Sequence, residues 1–130
     1  MAVTSVTIGT PGPRRLAAFY QRLLGWTVAA EDPPGPGEPA DGGWAQLRPP
    51  AWQVGPRLNF EYEAVYDRPA WPSTAGQQQI MEHLDIEVDD LDEAVAWATA
   101  AGATLAEYQP QQDVRVLLDP DGHPFCVFLA

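Results

Sequence analysis

The chain has 130 residues, 45% of them hydrophobic and 19% charged, which is the composition of one small globular domain. Its formal net charge of −11 argues against a nucleic-acid-binding protein, which needs a basic surface, and disfavours docking on anionic lipid. No apolar run approaches the roughly 20 residues that span a bilayer, the N-terminus does not read as a signal peptide, and Cys126 is the only cysteine. We therefore expect a cytoplasmic protein without an intramolecular disulfide bond.

The first half of the sequence predicts a strand, a helix and three further strands. Apolar and polar side chains alternate from Val3 to Ile8, and helical spacing follows over 13–24 as far as Gly25, a capping glycine. A loop is predicted at 31–43, where proline and glycine are frequent. The remaining strands are predicted at 26–28, 44–47 and 57–66.

The second half repeats this order after a linker at 67–79. Alternation returns from Met81 to Val88, and Asp89 or Asp90 caps a helix over 90–101 that ends before Gly102. Further strands are predicted at 103–108, 113–118 and 124–129. The chain thus divides into a first unit (1–66), the linker (67–79) and a second unit (80–130). Two βαβββ units predict an α+β fold in which curved antiparallel sheets form a cradle with the helices outside.

Alternate residues of each strand point to opposite faces of its sheet, and here one face is apolar and the other polar. The apolar face must pack against the helices. In an ordinary antiparallel sheet the polar face is solvated, whereas in a closed cradle it lines a cavity. The apolar set is Val6, Ile8, Leu58, Phe60, Leu84, Ile86, Phe125 and Val127. The opposite set is Ser5, Thr7, Asn59, Glu61, Glu63, His83, Asp85, Cys126 and Phe128.

Four segments of the chain, at 19–26, 83–91, 102–104 and 119–126, resemble the vicinal oxygen chelate superfamily. Their sequences are FYQRLLGW, HLDIEVDDL, GAT and DPDGHPFC. That superfamily includes glyoxalases, bleomycin resistance proteins and extradiol dioxygenases. The resemblance implies the same fold, a homodimer, and a small aromatic or polycyclic ligand in the cradle. It leaves the activity open, because this fold hosts both enzymes and binding proteins.

The resemblance also implies positions for metal ligands, at Ser5, at Asn59 or Glu61, at His83 and at Cys126. His83 fits such a role, and Glu61 fits it if the register shifts. Serine is a poor ligand for a divalent ion, and a lone cysteine favours soft metals. A divalent metal cofactor is therefore possible but not favoured, and its expected ligands are His83 and Glu61.

The candidate catalytic residues are His83, Asp85 and Glu61. An imidazole titrates near neutral pH, so His83 could act as a general base, although a solvated surface histidine is the alternative. Asp85 lies two residues along the same face and could bond to the imidazole, whereas solvated carboxylates are the plainer interpretation of Asp85 and Glu61. Cys126 has no basic neighbour in the sequence to lower its pKa, which indicates a structural thiol.

Aromatic residues and one arginine complete the candidate site. Trp44 and Trp52 flank a short predicted strand and serve either the core or a wall for a flat ligand. Arg115 holds an anionic group or forms a salt bridge at the rim, where we also expect His123. The candidate substrate-binding set is Ser5, Trp44, Trp52, Asn59, Arg115 and Cys126.

Three functions follow from these residues together with the resemblance. The first is an enzyme of secondary metabolism that oxygenates or rearranges an aromatic, polyketide-like metabolite, with His83 as base. The second is a resistance protein that sequesters a drug or metabolite without catalysis, for which the negative charge favours cationic ligands. The third is a metal-dependent lyase of the glyoxalase kind.

Overall fold

In the computed structural model, which describes residues 1–130, the chain divides into two units, Met1–Tyr66 and Asp67–Ala130. Each unit contains a strand, a helix and three further strands, and each has its own four-stranded sheet. The predicted α+β class is therefore confirmed. Neither helix is long and apolar enough to cross a membrane.

The first unit has its strands in the order β1-β4-β3-β2. Its elements are β1 (Ser5–Thr10), α1 (Pro13–Leu24), β2 (Thr27–Asp32), β3 (Trp44–Arg48) and β4 (Arg57–Tyr62). β1 runs parallel to β4, with Ser5 beside Arg57, and the other pairs are antiparallel. The sheet is thus mixed rather than wholly antiparallel. Helix α1 returns the chain to the end of the sheet where β1 began, so β2 runs in the same direction as β1. Since β3 is antiparallel to β2 and β4 is antiparallel to β3, β4 also runs in the direction of β1.

Helix α1 forms the core of the first unit by covering the apolar face of its sheet. Pro13 begins the helix, and Gly25 ends it in the left-handed conformation with φ of 66°. Leu16 and Tyr20 are fully buried, and the Tyr20 ring stacks on Phe60 of β4 at a centroid distance of 5.5 Å. The predicted helix over 13–24 is therefore confirmed.

The second unit repeats the arrangement, in the order β5-β8-β7-β6. Its elements are β5 (Leu84–Glu87), α2 (Leu91–Ala101), β6 (Thr104–Leu105), β7 (Val114–Leu118) and β8 (Pro124–Phe128). β5 and β8 are parallel, with Asp85 beside Cys126. Of the two caps that the sequence allows, Asp89 and Asp90, the structure uses Asp90, which accepts a hydrogen bond from the Glu93 amide at 2.9 Å.

The strand predicted at 103–108 is much shorter, because beyond its end the Gln109 side chain forms hydrogen bonds to β7 in its place. The Gln109 amide oxygen accepts from the Val116 N–H at 2.8 Å, and its nitrogen donates to the carbonyls of Val116 and Ala106. These bonds satisfy β7 where β6 has already ended. In the first unit β2 reaches Asp32, into the segment predicted as a loop.

The predicted apolar face is buried where strands cross its centre and is open at its ends. Ile8 and Phe60 are fully buried, as is Phe125 in the second unit. Val6, near the start of β1, remains 36% exposed. Leu84 is half-buried at the start of β5. Parity therefore predicts the side of each strand correctly, while burial depends on how far its neighbours extend.

Candidate functional site

The polar face of the second sheet forms one wall of a cavity of about 400 Å³. Asp85, Cys126 and Val116 are neighbours across β5, β8 and β7, because the register pairs each of them with the next. All three line the cavity, together with His83, Phe128 and Trp71. Three of the residues that the sequence predicts for the site, His83, Asp85 and Cys126, are thus brought together.

These three side chains form a compact polar cluster. One ligand atom from each of His83, Asp85 and Cys126 lies within 4.8 Å of the others. The Cys126 thiol donates to the Asp85 Oδ1 atom at 2.7 Å. Burial, followed by this hydrogen bond and the negative charge of Asp85, raises the pKa of Cys126 to about 12. The thiol therefore stays protonated at neutral pH and does not act as a nucleophile.

Trp71 supplies the aromatic wall of this cavity. Its ring meets the His83 ring edge-on, at a centroid distance of 6.2 Å and an angle of 72°. Its Nε1–H donates to the Tyr108 carbonyl at 3.2 Å, and its ring packs against the cluster that includes Val116 and Cys126. Trp71 is a site residue outside the predicted substrate-binding set. The sequence does place this tryptophan in a proline-containing segment, where an aromatic side chain needs a ligand or an interface to cover it.

All the candidate residues of the first unit except Trp52 lie on the polar face of its own sheet. The Asn59 Nδ2 atom donates to the Ser5 Oγ atom at 3.2 Å, so these two predicted residues are in contact. Glu61 is exposed and lies opposite the half-buried Trp44. Trp52 lies in the loop between β3 and β4, where it is 83% exposed.

Arg115 lies on the other face of the second sheet from the cavity. The register pairs it with the buried Val127, and its neighbours Val114 and Val116 line the cavity instead. Its guanidinium donates to the carbonyls of Gln112 and Val114, both at 2.8 Å. The side chain thus ties down the local backbone.

His123 is buried, with 4% exposure, and the expectation that it lies at a rim is wrong. The Asp119 Oδ1 atom accepts from the backbone amides of Asp121 and His123, which closes a tight turn. The other oxygen, Oδ2, lies 2.8 Å from the His123 Nδ1 atom. The turn itself therefore directs the imidazole inward.

Glu82 is a buried carboxylate that the sequence analysis did not single out. Both of its side-chain oxygens are shielded from solvent and have no hydrogen-bond partner. Burial raises the pKa of Glu82 to about 7; His123 opposes this shift and the charge of Asp119 adds to it. A carboxyl group next to the cavity residue His83 therefore titrates near neutral pH.

The metal site implied by the resemblance does not fit the donors that are present. Ser5 and Asn59 offer neutral groups that are already hydrogen-bonded to each other. In the second unit, His83, Asp85 and Cys126 lie close enough to hold an ion. To bind it, however, the Cys126 thiol would first have to lose the proton that it donates in its hydrogen bond to Asp85. Before any ion binds, the pKa of about 12 opposes that loss at neutral pH.

Comparison with known proteins matches nearly the whole chain to one family. Residues 5–128 match a family described as a glyoxalase-like domain. No curated protein matches the chain.

Several solved structures share the fold. A glyoxalase/bleomycin resistance protein/dioxygenase family enzyme from Burkholderia phytofirmans PsJN is 22% identical with a TM-score of 0.66, over 99% of this chain and 98% of that one. TnmS3, an antibiotic binding protein from Streptomyces sp. CB03234, is 17% identical with a TM-score of 0.60, over 99% and 95%. TioX from Micromonospora sp. ML1 is 23% identical with a TM-score of 0.59, over 98% and 97%. At these identities the likeness concerns the fold alone.

Proposed function

Because the chain belongs to the glyoxalase-like domain family, we propose that it binds a small, flat aromatic molecule in the cavity of its second unit. The family match confirms the resemblance to the vicinal oxygen chelate superfamily, whose fold by itself does not fix an activity. The observation that carries the proposal is an aromatic wall, Trp71, beside the polar cluster of His83, Asp85 and Cys126 in one cavity.

The size and lining of the cavity support a small-molecule ligand. Its volume of about 400 Å³ falls within the range of roughly 300–1,000 Å³ typical of ligand pockets. Trp71, Phe128 and Val116 supply apolar surface, and the polar cluster supplies a few groups that can orient a ligand. A flat ring that stacks on Trp71 would gain contact area at little entropic cost, because the indole is already held by its bond to Tyr108.

The charge of the cavity favours a cationic ligand. Asp85 and Asp113 both belong to the lining, whereas no arginine does. A ligand cation could also interact with the face of Trp71. With the Cys126 thiol protonated, the cavity offers no activated nucleophile. We therefore propose that the ligand is retained without chemical change, as in a sequestering resistance protein; TnmS3, with the same fold, is described as antibiotic-binding.

Titration calorimetry with two planar dyes tests this proposal. We expect the cation proflavine to bind more tightly than the anion anthraquinone sulfonate. Trp71→Ala should weaken proflavine binding about tenfold, the worth of one well-placed aromatic contact. Asp113→Asn should reduce the difference in affinity between the two dyes, because it removes a negative charge while leaving the apolar wall intact.

The matched control is Trp97→Ala, which removes an exposed tryptophan of α2 outside the cavity lining and should leave proflavine affinity unchanged. Equal affinity for both dyes would contradict the charge argument. An equal loss in the Trp97 variant would show that the dye binds elsewhere. The homodimer implied by the resemblance and the cytoplasmic location expected from the sequence remain predictions alongside this proposal.

A second candidate is the enzyme that oxygenates or rearranges an aromatic, polyketide-like metabolite, with His83 as base. The observation that favours it is an exposed imidazole at the cavity wall, edge-on to the ring that would hold the substrate. An imidazole there could accept a phenolic or enolic proton, and Asp85 lies in the same cluster to support the resulting charge.

Replacing His83 separates the two candidates. In an enzyme, His83→Ala should lower turnover by roughly a hundredfold or more, the usual worth of a general base. His83→Gln should be equally inactive, because glutamine can hydrogen-bond but cannot carry a proton.

The free energy of unfolding of both variants should change by no more than about 1 kcal/mol, since the His83 side chain is exposed. Product formation followed by chromatography measures turnover, with Glu87→Gln as a control on β5, the strand that begins directly after His83. Wild-type turnover in His83→Ala would exclude the base, and sequestration predicts changes in affinity alone.

A further inference from the structure

The polar face of the first sheet carries two arginines in a groove of about 520 Å³. The groove is lined by Arg48 at the end of β3, Arg57 at the start of β4, Ser5 and Gln46, and by part of the loop between β3 and β4. No aspartate or glutamate belongs to the lining. This is a concentration of positive charge in a chain whose formal net charge is −11.

The strand register places these two charges against each other. β3 and β4 are antiparallel, and the ladder between them ends with Leu47 opposite Leu58. Continuing the register by one residue sets Arg48 opposite Arg57. Like charges directly opposite one another in a sheet are destabilising, so the arrangement has a cost in the unliganded protein.

The chain does not neutralise this pair, although it has 18 acidic residues for 7 basic ones. Neither Arg48 nor Arg57 lies in an ion pair. By contrast, Arg15 of α1 pairs with Asp41 at 3.1 Å. The two groove arginines are therefore charges left open to a ligand.

A chain of side-chain hydrogen bonds holds one of the two guanidinium groups in position. The Arg57 Nη1 atom donates to the Gln46 Oε1 atom at 2.8 Å, and the Gln46 Nε2 atom donates to the Asn59 Oδ1 atom at 2.8 Å. Asn59 in turn donates to the Ser5 Oγ atom at 3.2 Å. Because Ser5 accepts this bond, its own hydroxyl proton is left to donate to a ligand. The network orients Arg57 before any ligand arrives.

We propose that this groove binds a carboxylate or phosphate group of a small molecule. A guanidinium fork matches the oxygens of either group, Arg48 adds a second positive charge, and the Ser5 hydroxyl adds a neutral donor. Binding such an anion relieves the repulsion between the arginines. The site goes beyond the proposed function, because it lies in the first unit and prefers the opposite sign of ligand charge.

Titrations with inorganic phosphate and with benzoate, followed by NMR, test the proposal and distinguish the two kinds of anion. We expect saturable shifts of the side-chain amide signals of Gln46 and Asn59, and the probe that binds more tightly identifies the preferred group. Arg57→Gln and Arg48→Gln should each weaken binding at least fivefold, and the double variant should show no saturation. Arg22→Gln, which removes an exposed arginine of α1 outside the groove, should bind as the wild type does.

Thermal unfolding gives a readout that a merely structural role would not reproduce. Without anion, Arg48→Gln should unfold at the wild-type temperature or above it, because the repulsion is removed. With phosphate or benzoate present, the wild type should gain stability and the double variant should not. In the NMR titrations, three results would overturn the proposal: no saturable shift with either probe, the same shifts with chloride at equal ionic strength, or an equal loss of binding in Arg22→Gln. In thermal unfolding, the proposal is overturned if Arg48→Gln unfolds several degrees below the wild type without anion.

Discussion

Replacing Phe60 by alanine is expected to lower the free energy of unfolding by about 3–5 kcal/mol, the usual range for removing a buried aromatic ring. Phe60 is fully buried at the centre of the first unit, where its ring stacks on Tyr20 at 5.5 Å. The surrounding strand β4 is paired on both sides, so the walls of the resulting cavity cannot readily collapse. Because small domains are stable by only about 5–15 kcal/mol, this single change removes a large share of the total.

Urea denaturation followed by circular dichroism measures the effect. Phe60→Leu provides a graded variant that keeps part of the buried surface if the alanine variant does not fold. Val54→Ala is the control, since Val54 is fully exposed and its loss should be close to neutral. A loss below about 1 kcal/mol in Phe60→Ala would mean that β4 does not occupy the core as described.

Replacing Glu82 by glutamine should remove a large pH dependence of stability. The pKa of Glu82 rises from its ordinary 4.5 to about 7 in the folded chain, so folding favours the protonated form. The native state therefore loses stability as the pH rises from about 4.5 through 7, because the unfolded chain releases this proton more readily. The full cost above pH 7 is of the order of 3 kcal/mol. Glutamine resembles the protonated carboxyl and avoids that cost.

Urea unfolding at pH 4 and pH 8 distinguishes Glu82 from the other carboxylates. At pH 8 Glu82→Gln should be more stable than the wild type by about 3 kcal/mol, and at pH 4 the two should be nearly equal. Glu87→Gln, an exposed carboxylate on the adjacent strand, is the matched control and should keep the wild-type pH dependence. If Glu82→Gln kept it too, the buried carboxyl would not be its source.

Local signals made the helices and the strand faces predictable. A glycine in the left-handed conformation ends α1 and a side-chain cap begins α2, and both are specified by residues within one turn of the helix end. Alternation likewise placed His83, Asp85 and Cys126 on one face, because side-chain direction in a strand depends only on parity. Their meeting at one cavity then follows from the pairing of β5 with β8.

The misplaced residues depend on geometry that no single segment contains. The side on which Arg115 lies is set by the alignment of β7 with β8, which pairs it with Val127. His123 turns inward because Asp119 organises the whole turn around its carboxylate. Glu82 did leave a signal, since it has the parity of Leu84 and Ile86, the apolar face of the predicted strand. A carboxylate at a position of the apolar face indicates a buried charge.

The parallel pairing of the first and last strands of each unit imposes an order of assembly during synthesis. β1 leaves the ribosome first but has no partner until β4 has been made, so its edge waits through almost the whole unit. The antiparallel strands β2, β3 and β4 are linked by shorter connections, and their closure costs less entropy. We therefore expect β1 to join last, onto a sheet already built from its antiparallel strands.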